Sequence, residues 1–302
     1  MLIAAEECAA LNRREVFETY LSRETALGNL PIWRALPVRH RRLIGPWCFL
    51  DRYGPISFTD QKPMDVAPHP HIGLQTVSWL LEGEVVHHDS LGYEAVARPG
   101  SVNVMTAGLG IAHAEETPVA NEGRLNGVQL WVALPDAHRN VAPSFQHVAE
   151  VPRMELRGGI AQVFLGDDCA AETFSDTVGI DLTLHNEIEF PVRPEREHGI
   201  FLLSGNASFE NQPLSLNTLH YLGCGRSSIA LKGEARMLIV GGEPFAEPVL
   251  MWWNFVARQP EEIAAARADW EEGRRFGPVS AYRGPRLAAP PLSRLARPNP
   301  AS

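Results

Sequence analysis

The sequence lacks any hydrophobic run long enough to cross a bilayer. Its longest apolar stretches, at 77–81 and 128–134, are short, whereas a membrane-spanning helix needs roughly 18–20 apolar residues. The N-terminus has no basic segment followed by an apolar one, which is the pattern of a secretory signal. We therefore expect a cytoplasmic protein with no membrane partner.

Positive charge is also scarce. The chain has 27 Lys and Arg residues against 36 Asp and Glu residues, a formal net charge of −9, and no long basic run. A protein that binds nucleic acid by neutralising phosphates needs the opposite balance, at least locally. The charge argues against direct binding to nucleic acid and leaves open docking onto a protein that binds DNA.

Cysteine is rare and scattered. Cys8, Cys48, Cys169 and Cys224 lie far apart, with no C-x-x-C pair. This spacing argues against a zinc knuckle and a disulfide framework, and it predicts reduced thiols. The sequence also has no Walker motif, no G-x-S-x-G motif and no complete dinucleotide-binding pattern. It therefore carries none of the usual signatures of nucleotide-binding proteins or serine hydrolases.

Most of the chain has the texture of an all-β protein. Short β-branched and aromatic runs are interrupted by Gly, Pro, Asn and Asp, which is typical of β-sandwiches and barrels. Strands are predicted at 74–82, 84–89, 94–98, 101–106, 127–134, 160–165, 179–185, 199–204, 219–223, 228–232 and 235–241. These strands fall into two sets with similar sequence patterns, one within 38–135 and one within 155–250. This arrangement predicts two β domains in tandem.

Sequence patterns typical of helices occur only near the two ends of the chain. We expect helix within 6–23, and a second helix over 260–275 that begins at Pro260 and has acidic residues in its first turn. The predicted organisation is a partly helical N-terminal extension (1–37), a first barrel (38–135), a linker (136–154), a second barrel (155–256), and a C-terminal helix with a Pro-rich tail (257–302).

Two short motifs carry candidate chemistry. His69 and His71 open the first long strand pattern, and His113 and Glu115 follow a Gly-rich turn. Residues i and i+2 of a strand project to the same face, so three imidazoles and a carboxylate converge if the two segments meet inside a barrel. Nitrogen and oxygen ligands without thiolate suit Fe, Mn, Ni, Cu or Zn and leave coordination positions open.

Simpler interpretations of the histidines remain. An H-x-H pair on a strand is commonly polar surface, and short motifs have many false matches. His87 and His88 are adjacent, so they face opposite sides of a strand and cannot both reach one metal. The other histidines are isolated, and we expect structural or surface roles for them.

The motifs resemble those of a known family. H-P-H at 69–71, the hairpin glycine Gly83 and Gly110-x-x-His113 are similar to the two cupin motifs, and the whole segment 69–116, ending in MTAGLGIAHAEE, resembles the signature of the pirin family. The segments GVQLWVALP (127–135) and VGGEPFAEPV (240–249) are also pirin-like. The resemblance implies a bicupin of two jelly-roll barrels, with one divalent metal in the N-terminal barrel and none in the C-terminal one.

The resemblance also implies a ligand set and one departure from it. The family's ligands fall on His69, His71, His113 and Glu115, and the metal is usually iron, here expected as Fe(II), with Mn, Ni, Cu, Co or Zn as alternatives. Gln75 stands where most pirins have Glu. Gln cannot supply an anionic ligand, although it can hydrogen-bond a ligand or a bound oxygen.

Two functions follow from the resemblance. Several pirins are similar to quercetin 2,3-dioxygenases, so one hypothesis is a dioxygenase that opens a flavonol or catechol-like ring with O₂, with Glu115 as general base. The other is an iron-dependent regulator that binds transcription factors or metabolic enzymes according to its redox state. A storage or vestigial cupin without catalysis is a third interpretation.

Overall fold

The structure is a computed structural model that describes residues 16–27, 30–59 and 62–292. These residues form 22 strands and one helix. The first half contains β1 (Glu18–Leu21), β2 (Arg23–Leu27), β3 (Leu30–Leu36), β4 (Trp47–Ser57), β5 (Asp65–His71), β6 (Leu74–Glu82), β7 (Val85–Asp89), β8 (Glu94–Ala97), β9 (Val102–Thr106), β10 (Ile111–Glu116), β11 (Arg124–Ala133) and β12 (Ser144–Val148).

The second half contains β13 (Arg153–Leu156), β14 (Gly159–Leu165), β15 (Thr177–Leu184), β16 (Glu187–Pro191), β17 (Glu197–Phe209), β18 (Gln212–Pro213), β19 (Thr218–Gly223), β20 (Ser228–Gly242), β21 (Leu250–Trp252), β22 (Phe255–Ala257) and the helix α1 (Pro260–Glu271). The predicted all-β class is therefore confirmed. The segments predicted as separate strands at 228–232 and 235–241 are one long strand, and the helix predicted over 260–275 ends at Glu271.

The first domain consists of two sheets packed face to face. One has seven strands in the order β12-β9-β6-β11-β4-β3-β2, and the other has four in the order β5-β10-β7-β8. The candidate motifs lie on neighbouring strands of the four-stranded sheet. Within 136–154, the strand β12 extends the seven-stranded sheet by pairing with β9.

A nine-stranded sheet forms the second domain. Its main path is β1-β19-β17-β20-β15-β14-β13, with β16 and β18 attached at its sides. Its buried face shares one continuous hydrophobic cluster with the first domain. The indole nitrogen of Trp47 donates to the backbone oxygens of Val178 (3.1 Å) and Gly241 (3.0 Å), which join the two domains.

The helical prediction for the N-terminal segment is wrong where it can be compared. Residues 18–21 and 23–27 are strands, and 6–15 lie outside the described residues. The strand β1 pairs antiparallel with β19, from Glu18 opposite Tyr221 to Leu21 opposite Thr218. Pairing with the edge of the second domain's sheet overrides the weak helical propensity of this segment.

The cysteines match the prediction only in part. Cys48 and Cys169 are buried free thiols, as predicted, but Cys224 is disulfide-bonded, so the expectation of reduced thiols is wrong at that position. Over the residues that the structure describes, no helix is long and apolar enough to span a membrane.

The outer face of the four-stranded sheet is covered by the C-terminal segment. Ala112 and Ala114 of β10 pack in a cluster with Ile263, Ala266 and Trp270 of α1. Residues 284–292 have no regular secondary structure and lie along the helix, where the Trp270 indole donates to the Leu287 carbonyl at 2.7 Å. Because this cover buries one face of β10, the alternate side chains of that strand point into the first domain.

Candidate metal centre

The strands β5 and β10 bring the two histidine motifs together. They run antiparallel, with His113 opposite His69 and Ile111 opposite His71. The register shifts between His113 and Glu115, which is a β-bulge. Bulges are common beside functional sites because they change the direction of a side chain. The side chains of His69, His71 and His113 therefore enter the same interior space.

The three imidazoles form a compact group. One ring nitrogen from each of His69, His71 and His113 lies within 4.8 Å of the others, and all three residues are buried. The Nε2 atoms of His71 and His113 are 3.0 Å apart. The structure thus gathers three of the predicted ligands, and the group fits a single cation.

Two of the three rings are held by backbone carbonyls. His69 Nδ1 lies 2.9 Å from the Ala67 oxygen of its own strand. His71 Nδ1 lies 3.1 Å from the Asn254 oxygen. Asn254 lies between β21 and β22, in a hairpin that approaches β5 closely enough for the Val256 amide to bond the Ile72 carbonyl. A carbonyl only accepts, so both Nδ1 atoms carry the proton and both Nε2 atoms carry a lone pair.

The third ring is held by side chains. His113 Nδ1 lies 3.3 Å from His87 Nδ1, and His87 Nε2 lies 3.1 Å from Asp89 Oδ2. The other carboxylate oxygen, Oδ1, accepts from the amides of Leu91 and Tyr93 at 2.9 and 3.0 Å. A neutral His87 that donates from Nε2 to this carboxylate accepts at Nδ1, so His113 donates from its own Nδ1.

This network prepares the group for a metal. It leaves lone pairs on the Nε2 atoms of both His71 and His113, which face each other at 3.0 Å. Two facing lone pairs repel unless a cation lies between them. Metal–imidazole bonds of about 2.0–2.1 Å place adjacent ligand nitrogens about 3 Å apart. Fixing the tautomer of a ligand through its second nitrogen is the usual construction of histidine metal sites.

Burial also keeps the rings neutral. Loss of water around His69 lowers its pKa to about 4, although its bond to the Ala67 carbonyl opposes this. Burial lowers the pKa values of His71 and His113 well below the ordinary histidine value, and the neighbouring histidines lower both further. A neutral imidazole is the form that binds a metal.

Glu115 is placed differently from the three histidines. Its side chain is buried, and its Oε1 accepts from the Ser78 hydroxyl at 3.2 Å, across the space between the two sheets. The Ser78 hydroxyl also lies 2.9 Å from Gln129 Oε1, so these two acceptors share its one proton. Burial raises the pKa of the Glu115 carboxyl, whereas nearby His87 and the Ser78 bond lower it. Glu115 is not a member of the 4.8 Å group, so its role as a ligand stays a prediction.

Aromatic side chains lie at two edges of the centre. The ring of Trp131 approaches His71 edge-on at 5.2 Å between centroids and stacks on Phe49 at 4.0 Å. Phe145 of β12 stacks on His87 at 4.3 Å. These rings exclude water from the imidazoles, which agrees with the lowered pKa values.

Comparison with known proteins identifies the family of this chain. The profile of the pirin family matches residues 30–132, and that of the pirin C-terminal cupin domain matches residues 177–277. The chain belongs to the pirin family. The predicted bicupin fold is thereby confirmed.

Relatives of this pirin extend over most of its length. A Pseudomonas aeruginosa protein named "Putative quercetin 2,3-dioxygenase" is 43% identical over 274 residues, 88% of this chain and 87% of its own. A crystal structure of quercetin 2,3-dioxygenase from Acinetobacter baumannii superimposes with a TM-score of 0.89 at 40% identity, covering 93% of this chain and 97% of that one. A bacterial pirin from Escherichia coli, in complex with nickel(II), shares the fold at 18% identity with a TM-score of 0.62, covering 76% and 99%.

Gln75 does not join the histidine group in this pirin. Along β6, Gln75 and Trp79 share one face and Ser78 lies on the other, the face that reaches Glu115. The Gln75 amide nitrogen donates to Thr106 Oγ1 and to the Glu172 backbone oxygen, both at 3.0 Å. Its side chain therefore points toward the second domain, and the predicted hydrogen bond to a ligand or bound oxygen is not among its contacts.

Three contacts of the centre were not found by sequence reasoning. His87, Asp89 and the Asn254 carbonyl hold histidines of this group, yet no motif relates them to 69–71 or 113–115. One signal was present. His87 and Asp89 have the same i, i+2 spacing as the two recognised pairs, and one member of His87-His88 had to face inward.

Proposed function

We propose that this protein is a metal-dependent dioxygenase that opens the oxygenated ring of a flavonol with O₂, using Fe(II) held by His69, His71 and His113. The observation that carries the proposal is the preset ring network. All three Nδ1 atoms have partners outside the centre, so the opposite nitrogens converge without any need to reorganise. A site of this kind binds metal with open positions for further ligands.

The substrate class follows from the centre and from the relatives. A divalent metal held by these histidines would supply Lewis acidity, and a flavonol could bind it through its adjacent hydroxyl and carbonyl oxygens, which would lower the pKa of that hydroxyl. The apolar rings of Trp131 and Phe145 beside the centre suit a flat aromatic molecule. Relatives at 43% and 40% identity carry the name quercetin 2,3-dioxygenase.

Glu115 is the group that we assign to proton transfer. It is a carboxylate on the same strand as His113, projects to the same side, and keeps one oxygen free of the Ser78 bond. It would take the proton of the substrate hydroxyl as general base. Ser78, itself turned toward Gln129, would orient the carboxylate.

Reconstitution and oxygen uptake test the proposal. The protein is loaded anaerobically with Fe, Mn, Ni, Cu or Co, and flavonol-dependent O₂ uptake is measured. We expect uptake with at least one metal. We expect Glu115→Gln to lower turnover by about 10²–10⁴-fold and to reduce metal content much less.

Glu116→Gln is the matched control. Glu116 is the next residue, faces the other way, and lies 3.4 Å from both Lys62 and His88. Its replacement should leave turnover within about twofold. Absence of flavonol-dependent uptake in every metal form would contradict the proposal, as would equal losses in the Glu115→Gln and Glu116→Gln proteins.

A further inference from the structure

A row of polar side chains crosses the inner face of the seven-stranded sheet, which faces the strands that carry the three histidines. The register places Ser78 of β6 beside Gln129 of β11. It places Asp51 of β4 between Gln129 and Arg34 of β3. Directly paired residues share a face of the sheet, and the contact of Ser78 with Glu115 identifies this face as the inner one. The row spans three strand spacings, about 14 Å.

Stability does not explain this row. The facing sides of a β-sandwich normally form an apolar core, whereas Arg34 binds Asp51 here through Nε at 2.8 Å and Nη2 at 2.6 Å. Asp51 is only 5% exposed. An ion pair that is withdrawn from water contributes little net stability, because the loss of hydration offsets the attraction. A polar ligand in the space between the two sheets would account for the row.

Two nitrogens of the row are free and can be reached by a ligand. Arg34 keeps Nη1 free, because Asp51 occupies its other two nitrogens, and 27% of the Arg34 side chain is exposed. Gln129 is half-buried, and its Oε1 lies 2.9 Å from the Ser78 hydroxyl, which leaves the amide nitrogen. Neither nitrogen has a partner among the described residues, and neither is enclosed by protein. The row therefore suits a ligand that carries acceptor oxygens.

An aromatic row runs beside the polar one. The Arg34 guanidinium lies over the Phe49 ring, 4.6 Å from its centroid. Phe49 stacks on Trp131, whose ring borders the histidine group. Arg23 of the edge strand β2 lies opposite Arg34 and is exposed, so the outer end of the rows carries two guanidinium groups. Only the Asp51 carboxylate balances them within the row. A flat aromatic molecule with an electron-rich oxygen at its outer end fits both rows.

We propose that Arg34 selects the substrate, by donating from Nη1 to a phenolic oxygen on an outer ring, remote from the pair of oxygens that binds the metal. The inference rests on the proposed function, because it takes the histidine group as the place where that pair binds. Arg34 lies two strands beyond Gln129, about 10 Å away, so it meets the far end of the molecule. A hydrogen bond from a charged donor is stronger than one between neutral groups, so flavonols with an outer phenolic hydroxyl are preferred.

Three flavonols test this contact. The compound 3-hydroxyflavone has only the metal-binding pair, whereas 3,4′-dihydroxyflavone and 3,7-dihydroxyflavone each add one hydroxyl to an outer ring, where a single hydroxyl does not chelate. Their affinities for the full-length Co(II)-loaded protein are measured without O₂ by quenching of tryptophan fluorescence. The absorption spectrum of each bound flavonol reports whether it chelates the metal. We expect at least one added hydroxyl to raise the affinity about tenfold or more.

Variants locate the effect. Arg34→Lys keeps a cation beside Asp51 but replaces three nitrogens with one, so the preference should fall to within about twofold while Co(II) affinity stays unchanged. Arg236→Lys is the matched control and should keep the preference, because Arg236 is 29% exposed and binds both oxygens of buried Asp181 in the second domain. If Arg34→Lys does not fold, the double variant Arg34→Met/Asp51→Leu removes the pair without leaving a buried charge and should lose the preference equally.

The outcomes separate this contact from the oxygenase activity. Equal affinities of the three flavonols, with chelation, would overturn the contact alone, as would a preference that survives in Arg34→Lys. A preference that Arg34→Lys abolishes, without O₂ uptake in any metal form, would support the contact and contradict the oxygenase. Absence of chelation by all three flavonols would contradict both.

Discussion

The Nδ1 atoms of His87 and His113 lie 3.3 Å apart, on the opposite side of the His113 ring from the Nε2 atom that faces His71. His87 is therefore not a fourth member of the group. It connects His113 to the Asp89 carboxylate, which is 3% exposed and is itself fixed by two backbone amides. The chain Asp89–His87–His113 determines which nitrogen of His113 carries the proton, and with it whether His113 can bind metal.

Replacing His87 tests this relationship. His87→Leu removes the acceptor for the His113 Nδ1 proton, and outer partners of metal ligands typically contribute 10–100-fold in affinity. We expect a loss of that size in Co(II) affinity, measured by competition with a chelator. His88→Leu is the control, because His88 lies on the opposite face, within 3.4 Å of Glu94 and Glu116.

Asp89→Asn tests whether the network acts by fixing the tautomer of His113 and not simply by packing against it. The two backbone amides hold Oδ1, so the new amide nitrogen would face His87 and donate to it. His87 would then donate to His113, whose Nε2 would carry the proton. This nearly isosteric change should reduce Co(II) affinity about as much as His87→Leu. Unchanged affinity in Asp89→Asn would mean that the network does not set the tautomer.

The strand alternation explains how much of this centre could be predicted. His69 and His71, and His113 and Glu115, were placed on common faces by their i, i+2 spacing, and the structure brings three of the four into one group. The same alternation puts Gln75 and Ser78 on opposite faces of β6, so Gln75 faces away from the centre because Ser78 reaches Glu115.

The features of the centre and of the fold that the sequence did not predict depend on contacts between distant segments. The bond from His71 to Asn254 spans 183 positions, and no local pattern encodes it. The N-terminal strand β1 forms because an edge of the second domain is available to it, whereas its own residues mix helical and β preferences. Register between strands decides both outcomes, and register is a property of the assembled sheets.

Gln75→Glu should act on stability rather than on the metal. The amide of Gln75 donates to the Glu172 carbonyl and to Thr106, at a position that is 0% exposed. A carboxylate would lose the bond to the carbonyl and would bury an uncompensated charge beside an oxygen, which typically costs about 3–5 kcal/mol. We expect a loss of this order in the free energy of unfolding by urea.

Gln75→Met is the control for that prediction. It removes the same hydrogen bonds without adding charge, so it should cost less, about 1–3 kcal/mol. Both proteins should keep Co(II) affinity within about twofold. If Gln75→Glu instead changed metal affinity tenfold and left unfolding unchanged, Gln75 would be acting on the metal centre after all.

The contact between the two domains contains a buried charge that holds both together. Asp181 of the second domain is 1% exposed and accepts from the Trp79 indole of the first domain at 2.8 Å. Arg236 binds both of its oxygens, at 2.7–3.1 Å. Asp181→Ala removes the acceptor that joins the domains and leaves the guanidinium without its partner, which typically costs about 3–5 kcal/mol.

We expect Asp181→Ala to split the unfolding transition as well as to lower its midpoint. Trp79→Phe should cost less, about 1.5–3 kcal/mol, because only one hydrogen bond to a charged group is lost, while an aromatic ring can still stack on Phe164. Asp51→Ala is the matched control, since Asp51 is a buried partner of Arg34 within the first domain. Its loss should destabilise by a similar amount but keep one cooperative transition by both fluorescence and circular dichroism. A single transition in Asp181→Ala, with the same loss as in Asp51→Ala, would mean that the shared apolar core alone couples the two domains.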